Sequence, residues 1–153
     1  MRPLITFLIL LSSSILYSQP GKPLSTSHYN LDKGLAIKGY DPVNYFNKSK
    51  AVKGSSKFTT NYNGVTYQFS TAENKNLFDA NPNKYEPQYG GWCAFAMGDY
   101  GKKVDINPET FKITDGKLYL FYNAYFNNTL KSWNKDEKGL KEKADKNWLE
   151  LIK

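Results

Sequence analysis

The sequence predicts an α+β fold: a small antiparallel sheet built from hairpins, with short helices packed on it and two C-terminal helices. Three observations carry this reading. Asn63-Gly64 and Asp115-Gly116 each separate two apolar-rich segments, as a two-residue hairpin turn does, and the first pair of segments alternates apolar with polar residues. Asp41-Pro42 pairs a helix-capping side chain with a residue suited to the first helical position. Phe126, Leu130 and Trp133, and after a break at Gly139 Leu140, Ala144, Trp148 and Leu151, recur at the spacing of one helix face.

Taken in chain order, "MRPLITFLILLSSSILYSQP" places Arg2 before an apolar run from Leu4 to Leu11 and then a serine-rich stretch, the layout of a secretory signal. The run is shorter than the roughly 20 residues that a membrane-spanning helix needs. The expectation is a signal peptide over residues 1–18, cut after Ser18, and an exported, soluble protein, periplasmic or extracellular, with no transmembrane segment after cleavage. Residues 19–28, rich in proline, glycine and hydroxyl side chains, read as a flexible leader, and residues 29–153 as the folded domain.

Within that domain, "LAIKGY" from Leu35 to Tyr40 is a short strand, and "DPVNYF" opens a helix. "FTTNYNGVTYQF" folds about Asn63-Gly64 so that Tyr62 faces Val65, Thr60 faces Tyr67 and Phe58 faces Phe69 on the apolar side. Ser70 lies three residues before Glu73, the spacing of a capping box. The helix it opens carries Asn74, Leu77 and Phe78 inward and stops at Asn81-Pro82. The second hairpin pairs Ile113 with Leu118 and Phe111 with Leu120.

The balance of 21 basic against 14 acidic residues gives a net charge of +7. The lysines are dispersed among acids, which describes a solvated face, and export argues against nucleic acid as a partner. A single cysteine excludes an internal disulfide, so stability rests on packing by 12 Tyr, 9 Phe and 3 Trp. No catalytic residues are assigned. No acid/base spacing, phosphate-binding glycine loop or multi-ligand His/Cys pattern occurs, and nothing in the chain points to an enzyme.

The chemistry that remains centres on "YGGWCAFAMG", which holds Cys93. Three readings stand beside one another: a buried small hydrophobe, one ligand of a soft-metal site, and a redox-active thiol. Sulfur from Met97 or nitrogen from His28 would complete a low-coordinate metal site, the metal being one such as copper or zinc. Gly90 and Gly91 read as a turn needing positive φ or close approach. Tyr40, Tyr85, Tyr89 and Trp92 read as core, with a ligand pocket as the other reading.

The segments "IKGYDPVNYF", "FTTNYNGVTYQFSTAENKNLFDANPNKYEPQYGGWCAFAMG", "FKITDGKLYLF" and "ADKNWLEL" resemble the longer, exported form of the YHS domain family, over about Leu35 to Leu151. The resemblance implies a compact sheet with short helices and a module that handles metal or a small ligand. Short members carry cysteines at positions that match Asn44, Ser70 and Asn74, where this chain has no thiol. The resulting expectation is an exported YHS-type binding module for a metal ion or small ligand. The alternatives are a thiol-dependent redox or transfer protein using Cys93, and a structural protein-interaction domain.

Overall fold

The computed structural model describes residues 24–153; the expected signal peptide and residues 19–23 of the expected leader lie outside the described residues. The elements follow as β1 (Leu31–Asp32), β2 (Leu35–Ala36), α1 (Pro42–Asn47), β3 (Ser55–Tyr62) and β4 (Val65–Phe69). Next come α2 (Ala72–Ala80), α3 (Pro82–Tyr85), α4 (Ala94–Tyr100), β5 (Asn107–Thr114) and β6 (Lys117–Phe121). The chain closes with β7 (Asn123–Ala124), β8 (Asn127–Asn128), α5 (Thr129–Trp133) and α6 (Glu137–Leu151). This is the mixed α+β architecture that the turns and caps predict.

Both hairpins form at their expected turns. Tyr62 pairs with Val65 and Thr60 with Tyr67, and across the second turn Ile113 pairs with Leu118 and Phe111 with Leu120. The expected Phe58–Phe69 pair does not form. An irregularity between Ser55 and Thr59 shifts the register, and Phe69 stands opposite Ser55. β1 and β2 extend the first hairpin into a sheet of order β1-β2-β4-β3, in which β2 meets β4 in parallel through Leu35 and Thr66.

Five further expectations are corrected. The strand expected over Leu35–Tyr40 ends at Ala36, because Ile37, Lys38 and Gly39 take positive φ and curl into a 3-10 turn. Thr71, not Ser70, caps α2 by accepting from the Asn74 amide, and Leu77 on that helix is exposed while Asn74 and Phe78 are buried. Phe126 belongs to no helix: it sits with Tyr125 in the β7–β8 turn at positive φ and is fully exposed. The break between the last two helices lies at Asn134–Asp136, since Gly139 is already inside α6, where its amide donates to the capping Asp136.

Strand β6 organises the interior. Alternate residues of a strand face opposite ways, and here both sides are covered. Leu118 and Leu120 join one core with Tyr45, Tyr67, Phe69 and Phe78, while Tyr119 and Phe121 join a second with Met97, Trp133, Leu140 and Ala144. A strand buried on both faces reads in sequence as the continuous apolar run "LYLF". Helix α4 lies between the cores: Ala96 packs in the first, Ala94 and Met97 in the second. Among the described residues no helix is long and apolar enough to cross a membrane.

Candidate functional site

The three positions at which short members of the resembling family carry cysteines converge in space. Asp41 caps α1 through its Oδ1, which accepts from the Val43 amide at 2.9 Å. Its Oδ2 accepts from the Ser70 hydroxyl and amide, each at 2.7 Å, from Asn74 Nδ2 at 2.7 Å and from Asn44 Nδ2 at 3.0 Å. Asn44 also donates to Ser70 Oγ at 2.8 Å, and Asn74 Nδ2 reaches Asn44 Oδ1 at 3.2 Å. Asp41 and Asn44 are fully buried, and Asn74 nearly so.

A buried carboxylate is tolerated only when hydrogen bonds replace its lost water. Here five donors do so, from α1, the end of β4 and the first turn of α2. This donor set does not fit a soft metal, which takes thiolate sulfur. It consists of oxygens and amides that are already bonded to one another. Ser70 and Asn74 thus have a shared role in this lock. Helix-local reasoning gives Ser70 a cap and Asn74 a first-turn position; their alignment with Asn44 at the family's cysteine positions was the signal that they meet.

Cys93 stands elsewhere, at the N-cap of α4, with its backbone amide tied to the Val104 carbonyl at 2.9 Å. The side chain is fully buried. Sγ accepts from the Tyr122 amide at 3.3 Å and lies 3.4 Å from Thr129 Oγ1, whose own hydroxyl donates to the Tyr122 carbonyl at 2.9 Å. With the threonine proton so placed, the S–H donates to Thr129 and both faces of the sulfur are satisfied. The thiol also lines a cleft of about 240 Å³ with Phe95, Tyr100, Val104, Tyr122 and Thr129.

The other sequence-predicted site residues do not line that cleft. Met97 follows one turn along α4, its amide bonded to the Cys93 carbonyl at 3.0 Å, and its side chain is buried in the second core. The His28 ring stands edge-on to Trp148 with centroids 6.2 Å apart, and the His28 carbonyl accepts from Trp92 Nε1 at 2.8 Å. Among the described residues, no group of three or more His, Cys, Asp or Glu side chains is arranged to hold a metal ion.

The turn leading to Cys93 is shaped by backbone conformation. Tyr89, Gly90 and Gly91 have φ of 56°, 61° and 85°, and a Cβ on Gly90 would stand 2.5 Å from the His28 carbonyl oxygen. Glycine is therefore required at position 90 by both conformation and space. Tyr85 and Tyr89 are core residues, and Tyr40 and Trp92 are half-buried at its margin.

Upstream of that turn, Glu86 lies half-buried between two phenols: Tyr67 donates to its Oε1 at 3.0 Å and Tyr29 at 3.3 Å. Burial pushes the Glu86 carboxyl above its ordinary range, and the two phenolic hydrogen bonds only partly offset this. Burial, with the neighbouring Glu86 charge, likewise holds Tyr29 up at about 12. Nothing in the residue spacing singles out Glu86, because its phenols come from distant segments.

No curated protein and no solved structure matches the chain. A family model does: the YHS domain, over residues 41–89. The matched segment begins at the capping Asp41 and contains Asn44, Ser70 and Asn74; Cys93, the second hairpin and the last two helices follow it. The chain thus contains a YHS domain, over residues 41–89.

Proposed function

We propose that this protein is a binding module whose ligand enters the cleft beside Cys93, the ligand being a soft metal ion such as copper(I) or a small thiol-seeking molecule. One observation carries the reading: the sole thiol of the chain is packed into the wall of a cleft, with a hydrogen-bond donor and an acceptor already directed at its sulfur. Sulfur is the donor that copper(I) prefers. Apolar walls from Phe95 and Val104 would strip water from a bound ligand and favour low coordination. Met97 and His28 are the other soft or borderline donors in the reading, and neither lines the cleft, so Cys93 is the ligand on which binding depends.

In the exported protein that residues 1–18 lead us to expect, a lone thiol persists by being shielded or used. The Cys93 environment suits both. The test is a paired titration of copper(I) and zinc into the wild type and Cys93→Ser, with protein purified without a metal-binding tag. Alkylation of the folded wild type is followed in parallel. Stoichiometric binding lost in Cys93→Ser supports the reading. Binding that survives the substitution removes Cys93 from the site, and a thiol that binds nothing and reacts only on unfolding makes it a packing residue.

A further inference from the structure

We propose a second site, for a small organic ammonium ion, in the cleft where Glu86 meets Tyr29, Tyr89 and Trp148. The cleft holds about 190 Å³ and is also bordered by Asn83 and Gln88. That is below the roughly 300–1,000 Å³ of sites for drug-sized molecules, so the occupant is a short alkyl amine rather than a larger ligand.

Five acidic side chains, Asp79, Asp105, Asp115, Glu137 and Glu150, each hold a lysine within 2.5–2.7 Å. Glu86 is more buried than a surface carboxylate and yet forms no ion pair among the described residues, in a chain with seven more cations than anions. The cation nearest in sequence, Lys84, is turned aside: its Nζ lies over the Tyr85 ring, 5.1 Å from the centroid. Removing a carboxylate from water without a countercharge is costly.

Hydrogen bonding gives the same direction. Both phenols donate to Oε1, and no described donor bonds to Oε2. One oxygen of a desolvated carboxylate is therefore left to accept from an incoming N–H. The walls complete the chemistry. Tyr89 and Trp148 meet at 66° with centroids 6.3 Å apart, and Tyr29, which donates to the carboxylate, also lines the cleft. Aromatic faces attract ammonium groups through the negative potential of the ring. A carboxylate acceptor flanked by aromatic rings selects a cation that carries both an N–H and an apolar stem.

The site is independent of the Cys93 cleft: the two share no lining residue. The probe is butylammonium, titrated into the full chain and followed by the NMR signals of the Trp148 indole. The neutral 1-butanol and potassium ion serve as comparison titrants. Saturable shifts with butylammonium, absent with both comparison titrants and weakened more than about tenfold in Glu86→Gln, are expected from the loss of one charge-assisted hydrogen bond. Equal response to 1-butanol or to potassium, or no saturable response, overturns the proposal. So does full affinity in a folded Glu86→Gln protein. Because the two comparison titrants act on the wild type, the proposal stays open to refutation even if the substitution impairs folding.

Discussion

Ser70 donates twice to Asp41, from its backbone amide and from its hydroxyl, both to Oδ2 at 2.7 Å and across 29 residues of chain. The pair joins the end of β4 to the start of α1, and Asn74 draws the first turn of α2 to the same oxygen. Local caps and a long-range lock thus use adjacent residues, Ser70 and Thr71, for different purposes. Replacing Ser70 with alanine removes a hydrogen bond to a buried carboxylate and is expected to cost about 1.5–3 kcal/mol. Replacing Thr71 with alanine removes a helix cap and is expected to cost about 1 kcal/mol. Denaturant unfolding of both variants decides the matter, and the reverse order of costs would return the capping role to Ser70.

Gly98 lies inside α4, where alanine would ordinarily gain about 1 kcal/mol of helix propensity. A Cβ there would stand 2.5 Å from the Leu140 carbonyl oxygen of α6, a backbone atom that cannot swing aside. Overpacking of this kind costs about 1–3 kcal/mol, so Gly98→Ala is expected to lower the unfolding midpoint. A rise in thermal stability would mean that α4 and α6 do not cross this closely.

The carboxyls of Glu137 and Glu86 respond oppositely to pH. Burial pushes Glu137 up, but hydrogen bonds from Lys112, Thr114 and Trp133 outweigh it and leave the group below its usual 4.5. The folded state then binds fewer protons than the unfolded chain at this position. Its stabilising contribution is full above about pH 4.5 and is lost as pH falls through the lower folded value. Glu86 is raised by burial, so its contribution is present in acid and lost as pH rises from 4.5 through the folded value. Stability curves of Glu137→Gln and Glu86→Gln across pH should therefore depart from wild type on opposite sides of pH 4.5. A Glu86→Gln curve parallel to wild type above that point would show that the carboxylate is not desolvated.

Features that depend on neighbours a few residues apart were legible in the chain before any folding was considered. The Asn63-Gly64 and Asp115-Gly116 turns, the Asp41-Pro42 helix start and the stop at Asn81-Pro82 were legible because φ preferences and caps are local properties. The same reasoning misplaced Phe58, Ser70, Leu77 and Phe126. A register shift in β3, a carboxylate 29 residues away and a solvent-facing turn answer to the packing of whole elements. The sequence also named Cys93 by its rarity, but it was the joining of α4, Tyr122 and Thr129 that gave the thiol a cleft and hydrogen-bonding partners. Tertiary structure alone decided the surroundings of Glu86, since Tyr29 and Tyr67 lie 57 and 19 residues from it and meet it only when the sheet and the turn before α4 close together. Electrostatic cost depends on what surrounds a charge in space, and spacing along the chain carries no record of it.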